Sequence, residues 1–181
     1  MSKASLVIVL AEDERHQRFV RHYLGRLGYE RHDLRFEALP SGRGSGEQWV
    51  RERYGPAVEV YRERVVRAKT ALIVVIDADI AAVTDRLQQF KKSLEDRGLN
   101  PRADREAIVH LIPKRHVETW VLCLNGQAVD EETDYSRNAD VEHFIQPAAL
   151  EFFAWTREGA AVPPHCIPSL KAAIPEMQRL E

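Results

Sequence analysis

Only two cysteines, Cys123 and Cys166, occur in this 181-residue chain, with no CxxC pair and no Cys/His ligand spacing. That excludes a disulfide framework and a structural zinc site, and reads as a cytoplasmic, reduced protein. Long apolar runs are missing too. None approaches the ~20 residues of a membrane span, and the apolar stretch ahead of Glu12 is too short for a signal-peptide core. No membrane partner is expected. Net charge is scarce: 26 Lys and Arg stand against 28 Asp and Glu, so no global basic field announces a nucleic-acid binder. Glycines 42, 44 and 46 are not followed by Gly-Lys-Ser/Thr, which excludes a Walker loop. No Ser or Cys has a nucleophile-elbow setting. Cys123, inside Val121-Leu122-Cys123-Leu124, reads as a core residue.

What the chain does have is a pair of apolar strands that each end in acids. Leu6-Val7-Ile8-Val9-Leu10 runs into Glu12-Asp13-Glu14, and Leu72-Ile73-Val74-Val75-Ile76 runs into Asp77-Ala78-Asp79. Unbroken β-branched runs, rather than alternating ones, mark strands buried on both faces of a parallel sheet. Ligand sites in open α/β sheets lie outside the carboxyl ends of such strands. Converging carboxylates repel one another unless a cation neutralises them, and hard oxygen ligands suit Mg²⁺ or Mn²⁺.

With 44% hydrophobic and 30% charged residues, the composition is that of a folded globular chain, so the search for elements is worthwhile. Strands are expected at 6–11, 34–39, 71–77 and 107–112. Helices are expected at 15–28, at 47–69 with a break or restart at Gly55-Pro56, at 80–97, and over Val117–Leu124. Residues 40–46 read as a glycine-rich loop. Strand-helix alternation predicts an α/β fold with a mainly parallel four-stranded sheet flanked by helices. Beyond about residue 125 the alternation fades. Residues 126–181 are expected to form a mostly helical C-terminal extension, with helices at 141–157 and 168–180, packed on a 1–125 domain.

Every acid also has a plainer explanation. Glu12, Asp13 and Glu14 stand where a helix starts, and Glu118 in the first turn of another, both favoured by the helix dipole. Asp79 fits as an N-cap for the 80–97 helix. Asp77 fits no such role: it follows five apolar residues directly, and a buried carboxylate needs a cation or a basic partner. Candidate phosphate ligands surround these acids, namely Lys114-Arg115-His116 after the fourth strand, together with Arg15, His16 and Arg43.

Val9-Leu10-Ala11-Glu12-Asp13-Glu14 with Phe19, followed by Ile76-Asp77-Ala78-Asp79, resembles the Toprim (topoisomerase–primase) domain family. Ile112-Pro113-Lys114-Arg115-His116-Val117-Glu118-Thr119-Trp120 is similar to its small stand-alone members in bacterial defence loci, the RloB-like ones. This resemblance implies a Toprim-like, Rossmann-like domain over about residues 5–125. It also implies a Mg²⁺- or Mn²⁺-dependent nuclease of bacterial anti-phage or DNA-processing systems, acting on DNA or RNA; the near-neutral charge leaves room for a larger protein partner, encoded alongside, to carry the recognition surface. Glu12, Asp13, Asp77 and Asp79 would hold the metal. Glu12, Asp77, Asp79, Glu118 and Lys114 would carry catalysis, and Lys114, Arg115 and Arg15 would bind phosphate. The family has glycine after its glutamate; here stands Asp13, which could itself reach the metal. Two alternatives stay open. Glu12-Asp13-Glu14 before an amphipathic helix also resembles a response-regulator receiver, with Asp77 as phospho-acceptor. A non-catalytic Toprim-like binding module is the other.

Overall fold

The computed structural model describes residues 3–39 and 45–180. Arg43 and most of the 40–46 loop therefore lie outside the described residues. Four strands, β1 (Leu6–Ala11), β2 (Leu34–Phe36), β3 (Thr70–Val75) and β4 (Ile108–Leu111), form one sheet in the order β2-β1-β3-β4, with every pairing parallel. The helices are α1 (Glu14–Arg26), α2 (Gly46–Val65), α3 (Val83–Glu95), α4 (Val117–Leu124), α5 (Val141–Trp155) and α6 (Pro168–Gln178). The result is the expected α/β class, a Rossmann-like sheet with helices on both faces.

Why the central strands read as unbroken apolar runs is visible in the two cores. Val7, Val9 and Ala11 of β1 and Ala71, Ile73 and Val75 of β3 face α1, α4, α5 and α6. Ile8 and Leu10, with Leu72, Val74 and Ile76, face α2 and α3. Period-two alternation thus sends apolar side chains into both layers, as it must for a strand covered on both sides. Val141, Ile145, Phe152, Leu170 and Met177 from the C-terminal helices share the first core with β1 and β3. No helix among the described residues is long and apolar enough to cross a membrane.

Three expectations need correction. The strand expected over 34–39 closes at Phe36. Helix α2 runs unbroken through Pro56. Val50, Tyr54, Val58 and Tyr61 are buried on both sides of that proline, so packing against the sheet outweighs one missing hydrogen bond. Gly55 serves helix–helix approach rather than a break: a Cβ there would lie 2.4 Å from Cδ of Arg97. Helix α3 begins at Val83 rather than 80, because the Asp85 carboxylate takes the Ala82 N–H at 2.9 Å and a turn closes from Ala81 N–H to Ala78 O. Asp79 is thereby not a helix cap.

The exposed edge of β4 is closed by side chains. Glu176 Oε2 accepts from the His110 N–H at 2.8 Å, and Arg102 Nη1 donates to Ile108 O at 2.9 Å. Arg102 and Glu176 pair with each other, so the ion pair does what a neighbouring strand would do.

Candidate active site at the carboxyl ends of the strands

β1 delivers Glu12 to the carboxyl edge of the sheet and passes directly into α1, whose N-cap is Asp13; its carboxylate accepts the His16 N–H at 3.0 Å. Past the end of β3, the backbone goes on pairing with the segment after β4. Ile76 N–H reaches Leu111 O, Ala78 N–H reaches Pro113 O at 2.8 Å, and Asp79 N–H reaches Arg115 O at 3.2 Å. This zipper lays Asp77 and Asp79 beside residues 113–116, and α4 then opens with Glu118 in its first turn. Three strand ends meet there, as the topology requires.

Asp77 is the hub, at 5% exposure. Its N–H donates to Glu12 Oε2 at 3.0 Å, and its carbonyl accepts from Arg86 Nε at 3.0 Å. Its carboxylate meets His16 Nε2 at 2.9 Å through Oδ1 and His116 Nδ1 at 3.5 Å through Oδ2. His16 is wholly buried, and its other nitrogen lies 2.7 Å from Asp13 Oδ1. Burial opposes a charge on that ring, yet the flanking Asp77 and Asp13 carboxylates win and hold its pKa well above the usual imidazole range. A carboxylate on each ring nitrogen makes both nitrogens donors.

The acids respond in turn. Burial, aided by the charge of Asp77, pushes Glu12 up to about 7. Burial also works on Asp13, but the hydrogen bond and charge of His16 outweigh it and hold that group at about 2. Asp79 is raised by burial and by Asp77. Its backbone is left-handed at φ 55°, an uncommon conformation for a non-glycine residue and one concentrated at functional sites. Its oxygens lie 3.6 Å from His116 Nδ1 and 3.4 Å from Arg86 Nη2. His116 is raised first by its contact with Asp77.

Two sets of ligand atoms, Glu12–His16–Asp77 and Asp77–His116–Glu118, each lie within 4.8 Å of one another, and Asp77 belongs to both. Ligands bound 2.0–2.6 Å from an ion sit at such spacings, and carboxylate oxygens with a neutral imidazole nitrogen form a donor set that a divalent cation accepts. His16, protonated between Asp13 and Asp77, would have to give up a proton to join it, so the carboxylates are the ready ligands. The acidic cluster can therefore hold a metal ion, with the donor chemistry leaving its identity open. Basic side chains also answer these acids: His16 and His116 at Asp77, Arg86 at Asp79 and Glu47, and Arg15 at Glu118. The cation or basic partner that Asp77 called for is present as two histidines.

The residues expected to form the site are not all brought together. Glu12, Asp77 and Glu118 converge within these sets, with Asp79 beside them. Asp13 caps α1 and holds His16. Arg15 is taken up by Glu118, by Glu142 at 2.7 Å and by Ser136 O. Lys114 faces Glu132 at 3.9 Å. Arg115 gives its carbonyl to Asp79 and has a buried Nε with no hydrogen-bond partner. A cleft lined by Glu12, Asp13, Glu14, Arg15, Arg18, Leu39, Gly46 and Glu142 opens beside the acids.

Sequence reasoning gave His16 and His116 only as phosphate ligands and did not single out Arg86 or Glu47. The signal for His16 and Arg86 was available. Each sits inside an apolar helical stripe, His16 with Phe19, Val20 and Tyr23, and Arg86 with Phe90 and Leu94. A charged group on a buried face demands a buried partner. In comparisons with known proteins, the chain matches no family model, no curated protein and no solved structure.

Proposed function

We propose that this chain is a divalent-metal-dependent phosphoryl-transfer enzyme that hydrolyses phosphodiester bonds in nucleic acid. The observation that carries the proposal is the sharing of Asp77 between two candidate ligand sets at the carboxyl edge of a parallel sheet. Asp77, Glu12 and Glu118 would hold the ion, with Asp79 and His116 completing its surroundings. A bound divalent ion would supply charge stabilisation to the phosphoryl oxygens. Glu12, at about 7 without an ion, would exchange its proton for the metal near neutral pH. Arg115, with an unspent Nε, is the better candidate than Lys114 for steadying a phosphate. The Toprim resemblance of the same motifs points toward a nuclease of bacterial defence systems.

A receiver-type reading is weaker, because Asp77 is buried and its Oδ1 is tied to His16. The test is incubation of purified protein with plasmid, single-stranded DNA and RNA in Mg²⁺ or Mn²⁺, against EDTA and Asp77→Asn controls. Metal-dependent cleavage abolished by Asp77→Asn is the expected result. Cleavage that survives this substitution would overturn the assignment, and stable labelling of Asp77 by acetyl phosphate would favour the receiver.

A further inference from the structure

Helix α1 leads away from the acidic cleft, and its exposed side is basic. Of its 13 residues four are arginines, while Glu14 is the single acid, in a chain whose overall charge is −2. Arg18, Arg21 and Arg26 are exposed; Arg18, whose guanidinium is paired with Glu142, is at once a wall of the cleft and the foot of this stripe, so Arg21 and Arg26 are the cations left open. From Arg18 to Arg26 the stripe spans about 12 Å at ~1.5 Å per residue.

Two of these arginines are held in place without spending their hydrogen-bond donors. The Arg21 guanidinium lies over the Phe36 ring at 4.5 Å from its centroid, and that of Arg26 over Phe153 at 5.4 Å. Among the described residues neither meets a carboxylate. Ring stacking orients a planar cation while its N–H fork stays open for an anion. His22, between them in the helix, is depressed by burial and then by the charges of the same Arg18 and Arg21.

We propose that the exposed side of α1, from Arg18 through Arg21 to Arg26, is a docking surface for the sugar-phosphate backbone of nucleic acid, guiding a strand into the cleft at Glu12. The inference rests on the phosphodiester reading of that cleft and adds where the substrate binds. Repeating phosphates match cations repeated along a helix, and Arg forks match phosphate oxygens. An anionic membrane is the lesser fit. The exposed large apolar residues among those described are Val60, Val65, Val66, Ile80, Leu87 and Leu150, and none lies on α1 to insert into lipid.

The experiment measures binding of a fluorescent single-stranded oligonucleotide in EDTA, so that metal and cleavage play no part. Arg21→Glu/Arg26→Glu is compared with Arg64→Glu/Arg67→Glu, which makes the same charge change on exposed residues at and just past the end of α2, and with Arg21→Lys/Arg26→Lys. Loss of affinity of at least tenfold is expected for the first pair only. The salt slope, log K against log salt, should shrink by about 1.4, two contacts' worth. The lysine pair should keep most binding, and circular dichroism should show all three folded. Equal loss in both glutamate pairs, or no binding by the native chain, overturns the proposal. Binding to phosphatidylserine vesicles lost through the same substitutions, without oligonucleotide binding, assigns the surface to membranes instead. Metal binding is read separately as a rise in Tm with Mn²⁺. Its absence beside intact oligonucleotide binding refutes the metal reading and leaves the surface standing.

Discussion

His16 Nε2 lies 2.9 Å from Asp77 Oδ1 across 61 residues of sequence, with the imidazole wholly buried. The ring is a protein-borne cation that ties the end of β3 to the first turn of α1. Breaking a buried pair leaves an uncompensated charge, which costs about 3–5 kcal/mol. His16→Leu should lower unfolding stability by that order in denaturant titrations. His16→Leu/Asp77→Leu should recover a good part of the loss, because the orphaned carboxylate goes with its partner. A double variant as unstable as the single one would mean that the pair is not the source of the cost.

Acidity acts on this site in two opposite directions. The Glu12 pKa is raised to about 7, so the folded state binds its proton more tightly than the unfolded chain does. That contribution lowers stability as pH rises from about 4.5 to about 7. Asp13 is held at about 2, so its contribution is present above 3.8 and disappears as pH falls from 3.8 toward 2. A divalent cation competes with the Glu12 proton, so its affinity should fall about tenfold per unit below pH ~7. Thermal melts with and without Mn²⁺ at pH 6 and pH 8 measure this. The rise in Tm should be larger at pH 8, vanish on adding EDTA, and be lost in Glu12→Gln. An equal rise at both pH values would remove Glu12 from the ligand set.

The framework was readable because β1 and β3 are covered on both faces, which forces apolar runs that no helix period imitates. A strand over 34–39 is too long for the opposite reason: β2 is an edge strand with Leu34 and Phe36 half-buried and Arg35 exposed, so little in its composition marks its end at Phe36. The acidic ends of β1 and β3 were legible because each acid follows its strand directly. Partnerships were not. Arg15 meets Glu118 across 103 residues, and Arg86 meets Glu47 across 39. No local period encodes such pairs; they are settled by where the helices land on the sheet. Asp79 looked like a cap because an Asp before a helix usually is one. Ala82 and Asp85 take that role and leave Asp79 to the site.

Gly46 opens α2 against the main chain of Glu12. A Cβ there would stand 2.3 Å from Glu12 O and 2.7 Å from Glu12 Cγ, too close for either to remain in place. Gly46→Ala should therefore cost about 1–3 kcal/mol, as overpacking does, and weaken Mn²⁺-induced stabilisation at the same time. Gly25→Ala is the control. It lies exposed within α1 with nothing within 4 Å of its would-be Cβ, so alanine there should stabilise by about 0.5–1 kcal/mol. Gly46→Ala that melts and binds metal like the native chain would show that the position of Glu12 does not depend on this contact.

At the far edge of the sheet, Glu176 both satisfies the His110 N–H and neutralises Arg102. Glu176→Ala leaves a donor of the edge strand without its acceptor and a half-buried guanidinium without its anion. The unsatisfied donor alone costs about 1–3 kcal/mol. Glu176→Gln keeps an acceptor for His110 while giving up the charge, so it should fall between the native chain and the alanine variant in denaturant unfolding. The exposed edge also offers a template for another chain, and the alanine variant should scatter light and elute earlier in size exclusion at high concentration. Should Glu176→Ala unfold at the native denaturant midpoint and remain monodisperse, the Arg102–Glu176 pair would have no part in closing the β4 edge.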